Sequence, residues 1–304
     1  MPNSLVSSGN CPNGSASPQG MPLAFPRSPL FIKEQIRRMR GGSQAHLMRC
    51  LTDSYYVVKF QGNPQGTKVL ANDLLGTQLA ARLGLPTTPV AICYVSEPLI
   101  KLTHDLYFEV AGGRVPCRPG LQFGSRFPLD PRRLTVWDFI PDKQLKESKN
   151  LKDFAGMLVF DKWTCNTDGR QTIFYQTEKD GPFQAVMIDQ GFCFNAAEWN
   201  FPDAPLRGLY ARRVVYEHVR GLDDFEPWLS RLESEVDSAV LTEIAQMIPL
   251  EWYESDAQSL QQLLERLDHR RSRVRELLWD TRRAIRDAFP NWSCSVAVAN
   301  SVFA

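Results

Sequence analysis

The pattern of apolar residues changes near residue 140, and this change limits the possible folds more than any other feature of the chain. Before it, short runs rich in β-branched and aromatic residues predict strands. These runs occupy 45–51, 55–60 and 90–95. One helix is predicted over 69–83, where leucines recur on a single helical face. After residue 140 helical periodicity dominates, which predicts an α+β protein with a small β-rich N-terminal lobe and a mostly helical C-terminal lobe.

The same pattern divides the chain into three segments. Residues 1–29 hold six of the 21 prolines and predict a disordered tail, because they cannot bury enough apolar surface to offset the entropy of ordering. The N-terminal lobe then spans 30–140, with an irregular stretch expected at 104–133, and the C-terminal lobe spans 141–304. The remaining predicted elements are a strand at 134–140, a β-like pair at 172–176 and 184–188, and helices near 150–164, 205–220, 222–231, 233–246 and 256–288.

Charge and cysteine usage argue against several classes of protein. The chain has 35 Lys+Arg against 34 Asp+Glu, whereas a free-standing nucleic-acid binder usually carries a strong basic excess. The arginine-rich run over 269–286 is an exception, and its apolar positions predict a helix with the arginines on the solvated face. The seven dispersed cysteines predict reduced thiols and a cytoplasmic location. Apolar runs are too short for a transmembrane helix, so no membrane partner is expected.

A glycine pair followed by Ser43 stands between the first two strand-like segments. Because Gly41 and Gly42 have no Cβ, successive backbone N–H groups in such a turn can approach an anion closely. The turn is therefore a candidate phosphate-binding loop, while an ordinary hairpin bend has the same composition.

Lys59 lies at the end of a strand-like run whose inward positions are apolar. An ammonium on such a face needs a counter-charge, because a buried lone charge is costly. Asp73, early in the next helix, is the candidate partner, and phosphate binding is the candidate role of Lys59. A lysine at a strand edge that reaches solvent is the alternative.

Polar residues cluster in the loop that follows an apolar helix at 150–164. The loop contains Asn166, Asp168 and Gln171. An aspartate there can accept a proton from a hydroxyl, and an amide oxygen can hold a metal ion. A helix C-terminus with ordinary Asx-turns is the alternative.

A second aspartate, Asp189, ends an apolar strand and is followed by Gln190-Gly191. A carboxylate at a strand end before a glycine turn is well placed to bind Mg²⁺. The glycine turn, the strand lysine, the helix carboxylate, the loop aspartate and the strand-end aspartate occur in the order found in bilobal kinases.

The chain resembles the HipA-like kinases, a family distantly related to phosphatidylinositol and protein kinases. The run NxDGR followed by IDxG is its most specific feature. The resemblance rests on RMRGGSQAHL (38–47), YYVVKF (55–60), NPQGTKVLANDLLGTQLAARLGLPTTP (63–89), FGSRFP (123–128), FDKWTCNTDGRQTIFY (160–175) and VMIDQGF (186–192).

This resemblance implies a bilobal kinase-like fold that binds ATP and Mg²⁺ and transfers phosphate to a hydroxyl, commonly of a protein Ser or Thr. It implies that Asp168 is the catalytic aspartate and that Asp189 binds the metal, with help from Gln171 or Asn166. It assigns the nucleotide to Gly41, Gly42, Ser43, Lys59 and Asp73, and the adenine to a hinge strand at 136–140 with its backbone near Asp138 and Ile140.

Three departures from the family pattern leave alternatives open. The metal-binding Asn usual five residues after the catalytic aspartate is replaced by Ile173, and the usual helix glutamate is Asp73. The usual His or Lys of the catalytic loop is Arg170. A nucleotide-binding pseudokinase or interaction module of the same fold is therefore the alternative function. A second register would pair Asp161 with Asn166, but Asp161 belongs to the apolar helix pattern.

Overall fold

The computed structural model describes residues 28–128, 130–131 and 135–292. The predicted N-terminal tail, apart from its last two residues, lies outside the described residues. In chain order the N-terminal part contains β1 (Leu30–Arg38), β2 (His46–Cys50), β3 (Tyr55–Lys59), α1 (Lys68–Arg82), β4 (Val90–Val95), α2 (Glu97–Leu102), β5 (Tyr107–Val110), β6 (Gly113–Pro116) and β7 (Gly120–Arg126).

Five of these strands close into a barrel in the order β1-β2-β3-β7-β4. Its neighbouring strands are antiparallel except at the closure, where β4 runs parallel to β1. The predicted strands at 45–51, 55–60 and 90–95 are confirmed as β2, β3 and β4. The barrel interior is lined by apolar side chains that include Met48, Val58 and Val95, each with no exposed surface.

The expectation of an irregular stretch at 104–133 is wrong. This stretch contains the hairpin β5–β6 and the barrel strand β7, which pairs with both β3 and β4. All four residues of β6 are exposed and carry no alternation of apolar and polar positions, so nothing in its sequence marks a strand. β7 carries two glycines, which are rare in strand interiors.

Helix α1 confirms the helix predicted over 69–83. Leu70, Leu74 and Leu79 on its apolar face have no exposed surface. The helix ends at Arg82 with Leu83 as its C-cap, and Gly84 follows with φ +75°, the left-handed conformation that glycine adopts readily after a helix. Polar residues of α1 are buried as well, so this helix packs on protein around its whole circumference.

The C-terminal part is mostly helical and carries one short two-stranded sheet, as predicted. Strands β8 and β9 confirm the β-like pair. Its elements are α3 (Asp142–Lys146), α4 (Asp153–Thr164), β8 (Gln171–Tyr175), β9 (Gln184–Ile188), α5 (Trp228–Glu235), α6 (Ser238–Ala245), α7 (Ala257–Arg270) and α8 (Val274–Ala284), with short 3₁₀ turns between them.

Two further secondary-structure expectations are wrong. The strand expected at 134–140 is, in its described part, only a single bridge between Trp137 and Phe174. The helix expected near 205–220 is a turn-rich segment with one 3₁₀ turn at Arg213–Tyr216. Apolar residues recur in this segment at a spacing similar to that of a helix. Their side chains pack into the larger apolar core, but the backbone that carries them is irregular.

The arginine-rich run also differs from expectation at one position. Arg270 is only 6% exposed and donates hydrogen bonds to the carbonyl oxygens of Lys162 and Trp163 and to Asp203. Arg275, by contrast, lies near the surface and pairs with Glu226 and Glu233. The run therefore ties helices together as well as facing solvent.

Two apolar cores organise the molecule. The smaller fills the barrel, and the larger joins α1 and Phe123 to the helices of the C-terminal part. Helix α1 thus belongs by packing to the C-terminal core although it precedes residue 140. Within the described ranges, none of the helices combines the length and apolar character needed to cross a bilayer.

Candidate active site

Lys59, at the end of β3, lies between two carboxylates from distant parts of the chain. Its Nζ is 2.7 Å from Asp73 Oδ2 on α1 and 2.7 Å from Asp189 Oδ1, directly after β9. The predicted pair between Lys59 and Asp73 is therefore present, and Asp189 joins it. This three-residue cluster connects the barrel, helix α1 and the small C-terminal sheet.

Burial and the neighbouring charges shift the pKa of each group in this cluster. Burial alone would lower the pKa of Lys59, but Asp73 and Asp189 outweigh it and hold that pKa above its ordinary value. Burial raises the pKa of Asp73 to about 6, although Lys59 offsets part of this effect. For Asp189, Lys59 overcomes the effect of burial and lowers the pKa. One ammonium thus faces two carboxylates, which leaves a net negative charge.

Helix α1 holds the turn that follows Asp189. The backbone N–H of Gln190 donates to Asp73 Oδ1 over 2.8 Å, so each oxygen of Asp73 has its own partner. Asn72 donates to the Gly191 carbonyl oxygen over 2.8 Å. Asp189 has φ +59°, a left-handed conformation that needs such support. The buried polar residues of α1 therefore set the position of Asp189.

Asp161 and Arg170 form a buried frame behind the polar loop. Arg170 Nε lies 2.9 Å from Asp161 Oδ2, and a second contact joins Nη2 to Oδ1. Arg170 Nη1 also donates to the Ile188 carbonyl oxygen over 3.0 Å and to Gln190 Oε1 over 2.7 Å. Asp161 has no exposed surface, so it cannot meet an acceptor hydroxyl, which argues against the register that pairs it with Asn166 as catalytic groups.

Asp168 lies at the surface of the loop between α4 and β8. Its Oδ1 accepts from the Gly169 backbone N–H over 2.8 Å, and its Oδ2 accepts from Gln171 Nε2 over 3.1 Å. Asn166 lies beneath it and is only 1% exposed. The Asn166 amide donates to Asp161 and accepts from the Asp168 backbone N–H. Asn166 thus shapes the loop, and its burial argues against the metal-ligand role expected from sequence.

The residues around Asp189 fit a divalent cation. The side chain of Asp189 keeps 22% of its surface exposed, whereas Asp73 keeps 2%. Gln171 is the cross-strand partner of Ile188, the residue before Asp189, and its amide Nε2 donates to Asp168. No group of three or more His, Cys, Asp or Glu side chains gathers within the described ranges. One carboxylate and one amide suit Mg²⁺ only when substrate phosphates and water complete its shell.

The glycine turn lies at the same end of the barrel as Lys59. It joins β1 to β2, and the pairing of His46 with Val58 brings the start of β2 beside the end of β3. Gly41 has φ +122°, and no other atom of the described chain lies within 4 Å of where its Cβ would stand. Ser43 is buried, with only 7% of its surface exposed. Residues 41 and 42 are exposed, which leaves their backbone open to a ligand.

Asp138 and Ile140 do not adopt the expected hinge strand. Trp137 pairs through both its backbone groups with Phe174, and Asp138 is exposed. The Ile140 carbonyl oxygen accepts from Arg212 over 2.6 Å, so this acceptor already has one partner. A strand pattern of apolar residues is present here, but among the described residues of this segment only Trp137 pairs with β8.

A cavity of about 450 Å³ lies between the barrel and the small sheet formed by β8 and β9. It is lined by the segment after β7, by the start of β3 and by the face of β8 and β9 that carries Tyr175 and Val186. Tyr55 on its wall precedes Lys59 by four residues, and Val186 precedes Asp189 by three. The cavity and the charged cluster therefore share two strands. Its lining includes Tyr55, Thr87, Arg126, Phe127, Tyr175 and Val186.

Sequence reasoning missed several residues that build this site. Asn72 and Gln190 carry hydrogen bonds that orient the turn after Asp189, yet isolated amides give no recognisable pattern. Arg170 was identified as part of the polar loop. Its spacing of nine residues from Asp161 does not predict that the two side chains form a buried ion pair.

Comparison with known proteins places this geometry in a family. The model of a family described as HipA-like kinase matches residues 32–282. A search of curated proteins gives no match. The Helicobacter pylori proinflammatory kinase CtkA has a similar structure, with a TM-score of 0.54 at 14% identity over 84% of this chain and 96% of that chain. A Golgi casein kinase with Mn/ADP bound gives a TM-score of 0.48 at 14% identity over 84% of this chain and 73% of that chain.

The likeness to CtkA shows a shared bilobal kinase fold, and the family match covers most of the sequence. The chain belongs to the HipA-like kinase family and is a kinase-type phosphotransferase.

Proposed function

We propose that this protein is an ATP- and Mg²⁺-dependent kinase that transfers the γ-phosphoryl group to a hydroxyl of a protein Ser or Thr. The observation that carries the proposal is the position of Lys59, 2.7 Å from both Asp73 and Asp189. In this proposal the ammonium of Lys59 binds phosphate and the neighbouring carboxylate of Asp189 binds the metal, an arrangement that supports phosphoryl transfer. A cytoplasmic location, expected from the dispersed cysteines, is part of the same proposal.

The nucleotide would lie along the strands shared by the cavity and the cluster. In this proposal the adenine enters the cavity beside Phe127 and Tyr175, in place of the hinge expected at Asp138 and Ile140. The triphosphate then extends toward Lys59 and meets the backbone N–H groups of residues 41–43. Lys59 offers its charge to phosphate oxygens while Asp73 keeps the ammonium in place.

The metal would be held by Asp189, with the amide oxygen of Gln171 as a second protein ligand. When bound, Mg²⁺ would supply positive charge that offsets the negative charge developing on the phosphate during transfer. Asp189 is suited to this role because its pKa is lowered, which keeps the carboxylate ionised. Asn72 and Asp73 hold the turn after Asp189, so this ligand is oriented by helix α1.

Asp168 would act on the acceptor hydroxyl. It is exposed, and the N–H of Gly169 and the amide of Gln171 orient its two oxygens. The acceptor oxygen bonds to the γ-phosphorus as the bond from that phosphorus to the β–γ bridging oxygen breaks. Asp168 takes the hydroxyl proton, and ADP leaves. Positioning and charge stabilisation supply most of the rate enhancement in such reactions.

ATP turnover by matched variants tests this assignment. We expect Asp168→Asn to reduce Mg²⁺-dependent ATP turnover and autophosphorylation by about 100-fold or more, a range typical of a lost general base. Asp180→Asn, which changes an exposed carboxylate in the β8–β9 loop, serves as the matched control. Equal turnover by wild type and Asp168→Asn would remove Asp168 from the mechanism.

A nucleotide-binding pseudokinase is the second candidate, and one observation favours it. Ile173, five residues after Asp168, is 8% exposed and brings no metal ligand to the position where the family usually has Asn. Calorimetry with ATP separates the two candidates. Affinity that increases strongly with Mg²⁺ supports the kinase, and affinity independent of Mg²⁺ supports the pseudokinase.

A further inference from the structure

The hairpin β5–β6 lies against the turn between β1 and β2. The contact is made by Gln44, directly after the glycine turn, and by the backbone of Glu109 on β5. Gln44 Nε2 donates to the Glu109 carbonyl oxygen over 2.8 Å, and the Glu109 N–H donates to Gln44 Oε1 over 2.7 Å. One side-chain amide thus satisfies both backbone groups of a single residue, in the manner of a neighbouring strand.

A second set of contacts secures the same amide. Arg38, at the end of β1, donates to Gln44 Oε1 over 2.9 Å and to the Tyr107 hydroxyl over 2.9 Å. Its guanidinium also lies 4.4 Å from the centroid of the Tyr107 ring, and that of Arg114 lies 4.2 Å from the same centroid. Both ends of the glycine turn, at Arg38 and at Gln44, are therefore attached to the hairpin.

The hairpin is itself fixed to the barrel. Leu106, Phe108 and Cys117 are each 2% exposed and belong to the apolar core inside the barrel. The ring of Phe108 meets that of Phe60 edge to face at 6.5 Å between centroids. The hairpin base is thus part of a packed interior, and it gives Gln44 a rigid partner.

We propose that Gln44 is a positioning residue that fastens the glycine turn at 41–43 to the hairpin and so holds its backbone N–H groups ready for a triphosphate. This rests on the proposed nucleotide-binding function. A turn with two glycines loses much conformational entropy when it is ordered around a ligand. A turn that is already fastened at both ends pays less of that cost during binding, which increases affinity.

The variant Gln44→Asn tests the proposal with little disturbance of the backbone. Gln44 has φ +49°, and asparagine tolerates this conformation better than most residues. It keeps the amide but withdraws it by one methylene, so it cannot span the distance to Glu109. Glu109→Ala is the matched control, because it removes the exposed carboxylate, which interacts with Arg38, Arg114 and Tyr107, but keeps the backbone groups of residue 109 that Gln44 binds.

Two measurements separate the fastening from the function. Hydrogen exchange of the segment 39–45 is expected to be about 10-fold faster in Gln44→Asn and unchanged in Glu109→Ala. The KM for ATP is expected to rise about 10-fold in Gln44→Asn with kcat within about 2-fold of wild type. These factors correspond to about 1.4 kcal/mol, the loss of one or two hydrogen bonds.

Each outcome has a distinct meaning. Unchanged exchange in Gln44→Asn would show that the hairpin does not fasten the turn, whatever the activity. Faster exchange with an unchanged KM for ATP overturns the positioning role while the fastening stands. If wild type binds no ATP, the proposed function fails, and exchange alone decides whether Gln44 fastens the turn. Gln44→Gly, which also suits positive φ, repeats the exchange test if Gln44→Asn folds poorly.

Discussion

Asp161 and Arg170 form an ion pair with almost no contact with solvent, their side chains being 0% and 1% exposed. The same guanidinium reaches the Ile188 carbonyl oxygen and the side chain of Gln190. A single arginine thus connects the end of α4 to the turn that carries Asp189. This pair therefore fixes the distance between the two loops on which Asp168 and Asp189 are placed.

The first prediction concerns this pair. We expect Asp161→Asn to lower the free energy of unfolding by about 3–5 kcal/mol, because removing one partner leaves a buried charge without compensation. Asp168→Asn is expected to change it by less than about 0.5 kcal/mol, as is usual for a surface substitution. Urea denaturation of both variants measures the difference.

An exposed pair provides the control for this prediction. Glu97 and Lys101 are one helical turn apart on α2, with side chains 63% and 72% exposed. Glu97→Gln should leave the urea midpoint unchanged, since solvent screens the pair. An Asp161→Asn protein as stable as wild type would show that Asp161 and Arg170 do not form the buried frame.

The second prediction concerns Lys59. Lys59→Met should abolish ATP turnover and lower the free energy of unfolding by about 3 kcal/mol, because Asp73 and Asp189 then face each other without a cation. Adding Asp73→Asn removes one of these charges. We expect the double variant to be more stable than Lys59→Met alone and still inactive. A double-mutant cycle from thermal unfolding measures this coupling, and strict additivity would contradict it.

The third prediction concerns the contact between α1 and the turn after β9. A Cβ added at Gly76 would lie 2.8 Å from Gln190 Cβ and 3.6 Å from Cys193 Sγ. Gly76→Ala gains about 1 kcal/mol of helix propensity and loses about 1–3 kcal/mol to overpacking. We therefore expect a net change in stability below about 2 kcal/mol, but a fall in kcat of about 10-fold because Asp189 is displaced.

A glycine in open space gives the comparison for Gly76. The Cβ of an alanine at position 221 would meet no atom within 4 Å among the described residues, so Gly221→Ala should retain full activity. Comparison of kcat and unfolding midpoint for the two variants separates displacement of the turn from general destabilisation. Full activity in Gly76→Ala would show that the turn tolerates the shift.

The fourth prediction concerns pH. His46 has no exposed surface, and burial lowers its pKa to about 4. The unfolded chain binds the proton near pH 6.5, so the stability that neutral His46 contributes is present above that pH and is lost as the pH falls toward 4. Between pH 8 and pH 5 this residue should cost about 2 kcal/mol of stability.

Other groups titrate in the same range, so a variant isolates the contribution of His46. His46 Nδ1 accepts from Gln35, which is partly exposed and can turn to water when the imidazole is replaced. His46→Leu should therefore show a shallower loss of stability between pH 8 and pH 5, measured by urea denaturation at each pH. Identical slopes in the two proteins would mean that His46 is protonated in the folded state.

Local sequence patterns were enough to predict much of the fold and part of the site. Strand β3 and helix α1 follow each other closely, so a lysine at the end of one and an aspartate early in the other were predictable partners. The strand-end position of Asp189 and the loop position of Asp168 were visible for the same reason. In each case residues that are close in sequence, or a clear periodicity, carried the signal.

Other features depend on contacts that no local pattern contains. The hairpin β5–β6 and strand β7 were missed because glycine and proline dominate a stretch whose strand geometry comes from pairing with distant strands. The strand expected at 134–140 was wrong because, in its described part, only Trp137 pairs with another strand, at Phe174 of β8.

The sequence by itself therefore determined the elements with clear patterns, such as β3, α1 and β9, and the chemical groups available for phosphoryl transfer. The apolar helix pattern favoured Asp168 over Asp161, but only the tertiary structure decided which residue buries Asp161. Asp161 and Asp168 both stand near the end of α4, but Arg170 buries the first and leaves the second exposed. An ion pair is buried when other parts of the fold pack against it. Those parts come from residues that are distant in the sequence, so no local pattern predicts the burial.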